Sequence, residues 1–416
     1  MALPYKGRKG GVVALALFAL LIATAASASA GATQDAKAAE AGKPIVIGVS
    51  LPLTGPFERF AALIRMGYEA AADGVNATGG LNVGGTKRLV QLKILDDRGD
   101  PQKTSENATN LILRSQAVAL LGAFSPPLAI AMAQVAEARG IPLVVDHSPI
   151  RAFLSAAPKG GWKWSWVFFF DELTMTQQEF KTMNMVKSNH KVALFTDGEQ
   201  DGQIMGGLWE KAAPKLGYKV VYHASFPVGT VDYADFIRRA QSSGADIMIS
   251  QMIPPDAIAL WKQMKALGWK PKAAFMEKAG NTAFWWAALG KAATGTAMVH
   301  FWSSGSGYPG TDFALKKFGP KTQGGDVEIA HSVVAYTAAT ILFDAIKKAG
   351  STDPAALNKA IAATNHTYVA GHIKWDAAHA AALPTVTLQW QSNGRASAVY
   401  PKDKAKAQFV YPLPPW

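Results

Sequence analysis

The chain has 416 residues, 17% charged and 49% hydrophobic, with a formal charge of +12 and no cysteine. The absence of thiols excludes disulfides, thiolate metal sites, a cysteine nucleophile and a lipid-modified cysteine. Lys and Arg are scattered along the chain with no dense stripe and no reader motif, which excludes the usual footprint of nucleic-acid binding.

The amino end reads as an export signal. Lys6, Arg8 and Lys9 precede an almost wholly apolar stretch over 12–24, and Ala28-Ser29-Ala30 offers an A-x-A cleavage site. The apolar run is short for a membrane span of about 20 residues. Residues 1–30 are therefore expected to be removed on export to the periplasm, with a small, polar, disordered lead-in over 31–43.

Beyond it, strands and helices alternate. Ile45-Val46-Ile47-Gly48-Val49 is a β-branched run, followed by a helix near 59–77 and a strand over 89–95 that ends in Asp96-Asp97. Helix 101–115, strand 117–121, helix 127–138 and strand 141–145 follow. A second series begins with strand 167–170 and helix 174–188. It continues through strands 191–196, 218–224, 246–250 and 273–276, with helices 202–216, 232–243 and 255–267 between them. Strands this continuously apolar imply burial on both faces, hence parallel sheets covered by helices. Two such series, in a chain too long for one core, predict α/β architecture with two doubly wound, Rossmann-like lobes.

The tail differs. A long helix over 328–349 should stop at Gly350, and Ser351-Thr352-Asp353-Pro354 starts another. Strand-like segments at 371–375, 385–391 and 396–400, with an Asn393-Gly394 turn, should complete sheets begun earlier.

Catalytic constellations are missing: there is no G-x-S-x-G, no Walker-type loop, no G-x-G-x-x-G after the first strand and no H-E-x-x-H. Of the eight histidines only His366, His372 and His379 cluster in sequence, and their spacing matches no metal site. Asp96-Asp97 reads as a turn cap, with a carboxylate pair or metal-binding strand end as the alternative. No enzyme activity, cofactor or metal is expected.

An ordered set of short motifs carries a family likeness. Leu51-Pro52-Leu53-Thr54-Gly55-Pro56, Asn76-Ala77-Thr78-Gly79-Gly80, Asp96-Asp97 and Asp100-Pro101 come first. Gly122-Ala123-Phe124-Ser125, Gly140-Ile141-Pro142, Thr230-Val231-Asp232-Tyr233, Gly268 and Ala335-Tyr336 follow. Over residues 44–402 the chain resembles the branched-chain amino-acid binding proteins, the periplasmic receptors of ABC importers. The resemblance implies the type I periplasmic binding fold: two lobes joined by a three-strand hinge, with a small-molecule ligand in the cleft. It implies lobes over 44–155 with 298–363 and over 156–297 with 364–416. An ABC permease in the inner membrane is the implied partner, and a monomer is the family default.

The same resemblance nominates ligand-binding residues. Ser125 matches the family's carboxylate-binding serine, but Pro126 and Pro127 behind it have no N–H to donate. Asp201-Gly202 stands where the family often has Tyr-Gly; Asp201 either caps a helix or puts a carboxylate in the cleft. Glu277 is the candidate for the acid that grips a ligand ammonium, with a surface pair to Lys278 as the alternative. Phe60 matches the aromatic of the first loop, and Ser148 follows the fourth strand. Phe170, Gln251 and Trp302 complete the set: the run Phe168-Phe169-Phe170 and Trp302 lie near crossovers, where an aromatic facing the cleft would stack on a planar ligand, although most aromatics here should be core. The expected ligand is a small carboxylate or amide with an apolar, even aromatic, body, or else an aliphatic amino acid. The alternative function is a ligand-sensing module that signals to a partner regulator.

Overall fold

The computed structural model describes residues 42–416. The expected export signal and all but the last two residues of the lead-in lie outside the described residues.

The first sheet is built from β1 (Ile45–Leu51), after which helix α1 (Glu58–Asn76) and a small hairpin, β2 (Leu81–Val83) with β3 (Thr86–Arg88), lead into β4 (Val90–Asp96). Helix α2 (Pro101–Leu113), β5 (Ala119–Gly122), α3 (Pro126–Arg139), β6 (Leu143–Val145), α4 (Ile150–Ser155) and β7 (Ser165–Phe169) follow. The second sheet takes over after α5 (Glu172–Met183), with β8 (Lys191–Asp197), α6 (Gln200–Ala212), β9 (Lys219–Phe226) and α7 (Ala234–Ser242). It continues through β10 (Ile247–Met252), α8 (Pro254–Leu267), β11 (Ala273–Lys278), α9 (Ala283–Leu289) and β12 (Ala297–His300). Helices α10 (Thr311–Phe318), α11 (Asp326–Ala349) and α12 (Pro354–Ala362) precede the hairpin β13 (Asn365–Tyr368) and β14 (Gly371–Lys374). The chain closes with β15 (Ala380–Ala382), β16 (Val386–Trp390) and β17 (Ala396–Tyr400).

The two main sheets run β15-β7-β6-β5-β1-β4 and β17-β16-β12-β11-β10-β8-β9. Every pairing in the first is parallel. In the second, only β16 against β12 and β17 is antiparallel. The expected pair of doubly wound lobes is therefore present.

The division of the chain between them differs from the expected boundaries. β7 pairs with β6, so 165–169 belongs to the first sheet rather than opening the second. β12 pairs with β11, so the second sheet keeps the chain through His300. β15 then returns to β7 before β16 joins β12. The chain thus crosses after Phe169, after His300 and between 382 and 386. Apolar alternation marks a strand but not the sheet it joins, which is why β7 reads in sequence as the start of a new series.

Local chemistry accounts for the element ends. Asp100 caps α2 by accepting from the N–H groups of Gln102 and Lys103, and Asp353 caps α12 through Ala356 N–H. Gly140, Gly268 and Gly350 end their helices in the left-handed conformation that a side chain disfavours. Asp96 accepts from the N–H groups of Leu53, Thr54 and Arg98, while Asp97 accepts from Ser50 Oγ and Gly99 N–H. The acid pair fastens the turns at the ends of β1 and β4.

Helix α11 is apolar nearly all round because it is buried nearly all round. It lies against α1 at Gly67, where an added Cβ would sit 2.3 Å from the Ser332 carbonyl. Glu328, fully buried at its amino end, takes a bidentate bond from Arg59 at 2.7 Å and another from the Ala283 N–H of the second lobe. Burial works against its charge, but the Arg59 hydrogen bond and those from Ala283 and Gln323 hold its carboxyl below the usual range. One carboxylate thereby links the lobes beside the cleft.

Candidate functional site

In open parallel sheets the carboxyl ends of the strands face the crevice where ligands bind. Here the end of β10 and the segments after β5, β6, β7, β8 and β11 converge on one cavity between the lobes. It has a volume of about 430 Å³ up to its open mouth.

The first-lobe wall is apolar. Phe60 stacks on Phe124 at 4.7 Å between ring centres, and Phe169 lies 4.7 Å from Phe170. Pro126 and Pro149 fill between them, and Met175 of α5 closes the apolar side from the second lobe. Ser125 sits at the head of α3 with φ 73° and a buried Oγ that has no partner, while prolines occupy both following positions. That helix start offers its hydroxyl and no amide from its first two residues.

Three histidines meet at this wall. His147 and His331 line the cavity and stack 5.3 Å apart, and His300 lies 5.4 Å from His331. Burial, reinforced by His147, pushes His300 down to about 3. Burial also holds His331 well below its ordinary value, with His147 and His300 adding to it. Asp146 Oδ1 is 3.3 Å from His147 Nδ1, but neither ring nitrogen makes a hydrogen bond. Asp146 instead accepts from Tyr68 Oη at 2.8 Å.

The second-lobe wall carries the charge. Asp201 accepts from Gln251 Nε2 at 2.7 Å, from Gly202 N–H at 3.0 Å and from Lys278 Nζ at 3.3 Å. Lys278 also bonds Glu199. Gly202 has to be glycine, since an added Cβ would lie 2.6 Å from the backbone and side-chain oxygens of Asp197. Asp197 accepts from Ile253 N–H at the head of α8. Burial raises its carboxyl to about 7; Lys278 opposes the rise, and Asp201 and Glu199 support it.

Of the residues nominated from sequence, Phe60, Ser125, Phe170, Asp201 and Gln251 line this cavity together. Ser148 is fully buried beside His147 with an unpartnered Oγ, outside the lining. Glu277 lies buried in the second lobe, where its Oε1 accepts from Val299 N–H at 2.8 Å. Burial keeps its carboxyl up at about 8, against the hydrogen bonds from Val299 N–H and with Glu179, which lower it. Trp302 donates its indole N–H to Val369 O and packs in the core. The next residue after Glu277, Lys278, is the one at the cavity, because successive strand side chains point to opposite faces. Phe169, from the aromatic run 168–170, lines the cavity as well; Phe124, Asn281, His147 and His331 line it without having been nominated, and of these only Phe124, beside Ser125 in its motif, carries a signal in the sequence.

Two α/β lobes around an apolar cleft with a few polar groups define a solute-binding protein of the two-lobed kind. The model of the periplasmic binding protein family matches residues 44–395, and the chain belongs to that family. It is 24% identical over 392 residues to Leu/Ile/Val-binding protein homolog 7 of Brucella suis, covering 91% of this chain and 96% of the relative. A leucine-binding protein of Thermotoga maritima shares the fold with TM-score 0.74 and 20% identity, over 85% of this chain and 97% of that one. So does a solute-binding protein of an ABC transporter from R. palustris in complex with benzoate, with TM-score 0.71, 20% identity and coverage of 86% and 95%.

Proposed function

We propose that the protein is a periplasmic receptor that delivers a small carboxylate or amide with a flat, apolar body to the permease of an ABC importer. The observation that carries this reading is the cavity wall. Phe60, Phe124, Phe169 and Phe170 supply apolar faces, while Ser125 Oγ, Gln251 Oε1 and Asn281 Oδ1 are buried polar atoms without partners. Buried polar atoms normally have partners, so Ser125 Oγ can donate to a guest carboxylate or carbonyl oxygen, while the two amide oxygens only accept and would take the N–H groups of an amide. Aromatic faces stack favourably on a planar body. The benzoate complex of a like-folded protein supports the aromatic choice; the names of the curated relatives support the amino-acid alternative.

No covalent step is involved. Solute entry requires the lobes to part, and contacts made with both lobes at once favour the closed form, a population shift toward the state the permease reads. Thermal-shift measurements with benzoate, benzamide, phenylalanine and leucine test the reading. Stabilisation by benzoate or benzamide is expected; stabilisation by leucine alone would overturn it.

A further inference from the structure

The second-lobe wall contains an acid cluster that already holds an ammonium. Asp197, Glu199 and Asp201 each bring a carboxylate oxygen within 4.8 Å of the others. Nζ of Lys278, whose side chain is 8% exposed, bonds Glu199 and lies 3.3 Å from Asp201 Oδ2. The other Asp201 oxygen takes Gly202 N–H, and Asp197 takes the N–H groups of Ile253 and Glu199. Every carboxylate oxygen of the two aspartates therefore has a donor from within the protein.

Histidines aside, Asp201 and Lys278 are the ionisable residues lining the cavity, and they are bonded to each other. The unpartnered polar atoms of the lining are the Ser125 hydroxyl, the amide oxygens of Gln251 and Asn281, and ring nitrogens of His147 and His331. Lys278 itself holds φ 62°, a left-handed conformation that a residue with a side chain keeps only when its surroundings impose it. Such outliers gather at ligand sites, and this one fixes the residue whose ammonium closes the acid cluster. A guest bringing its own ammonium to Asp201 would have to displace Lys278 or stand against a like charge in a poorly solvated cleft.

We propose that Lys278 is a built-in counter-ion that occupies the place of a ligand ammonium, so that the cleft selects carboxylates and amides against amines and zwitterionic amino acids. This rests on the reading that the cleft is the solute site, and it makes Lys278 a specificity-determining residue of that site.

The test compares wild type with Lys278→Met and Lys278→Gln. Methylammonium, which needs only the vacated acid cluster, should raise the melting temperature of the variants and leave wild type unchanged. Phenylalanine should bind the variants at least about tenfold more tightly than wild type, equivalent to about 1.4 kcal/mol. Wild type that binds phenylalanine or leucine more tightly than benzoate and benzamide would overturn the proposal. So would folded variants stabilised no more than wild type by methylammonium. Lys278→Gln retains a hydrogen-bond donor and serves if the methionine variant fails to fold; the wild-type comparison needs neither. Wild type that ignores benzoate and benzamide refutes the carboxylate reading, while the methylammonium arm still judges Lys278.

Discussion

Gln251 donates its side-chain amide to Asp201 at 2.7 Å, tying the end of β10 to the first turn of α6. Asp201 is buried, and a buried carboxylate is tolerated only while its oxygens keep their donors. The pair therefore holds the charged wall of the cleft in one arrangement. It also leaves Gln251 Oε1 facing no protein donor.

Removing one partner should cost more than removing both. Gln251→Leu withdraws a donor from a buried carboxylate, which costs about 1–3 kcal/mol. The double variant Gln251→Leu, Asp201→Leu removes that unmet demand but also leaves Lys278 with Glu199 as its bonded acid, so it should recover only part of the loss. Urea denaturation of the two single variants and the double variant measures the coupling. Additive losses would show that the bond carries no coupling.

Ser125→Ala deletes an unpartnered hydroxyl, so the folded protein should lose little stability. Solute affinity should fall by about 0.5–1.5 kcal/mol for a neutral hydrogen bond, or about 1.5–3 kcal/mol for one to a carboxylate. Calorimetry with benzoate and benzamide separates the two ranges. Unchanged affinity for both would remove Ser125 from the site.

Part of the site is legible in the amino-acid sequence. Ser125 follows a strand end in an ordered motif, Phe60 stands in the first turn of α1 shortly after another, and the caps at Asp100, Asp353 and Gly350 announce themselves by residue type. The identity of the acid and base at the cavity is not legible there. Glu277 and Lys278 are adjacent on β11, and a shift of one residue exchanges the two faces of a strand. The histidine group is hidden for another reason: His147, His300 and His331 follow β6, end β12 and lie in α11, and only the fold brings them together.

Two glycines in helices should respond to alanine with opposite signs. Helix propensity favours alanine by about 1 kcal/mol at either position. At Gly67 the new Cβ meets the Ser332 carbonyl at 2.3 Å, and such overpacking costs about 1–3 kcal/mol, so Gly67→Ala should destabilise. At Gly207, within α6, nothing lies within 4 Å, so Gly207→Ala should stabilise. Chemical denaturation of both variants checks the pair, and a stabilised Gly67→Ala would contradict the close packing of α1 on α11.

His300 gives the protein a defined acid sensitivity. Its folded value, about 3, lies below the ordinary 6.5, so on acidification the unfolded chain takes up the proton first. The stability it supports is present above about pH 6.5 and is lost as the pH falls toward 3. Glu277 works the other way: its folded value is raised to about 8, so its contribution is present below the ordinary 4.5 and is lost as the pH rises through 8. Urea midpoints at pH 7.5 and pH 5 should therefore fall less on acidification in His300→Phe than in wild type. Equal falls would contradict a neutral, buried His300.

The central claim is that a small carboxylate or amide is held between the two lobes, and solution scattering tests it most directly. Profiles are compared without solute and with saturating benzoate or benzamide, whichever stabilises the protein more. Contacts to both Ser125 and Gln251 require closed lobes, so the account predicts a smaller radius of gyration with solute bound. Profiles that superimpose with and without saturating solute would contradict it.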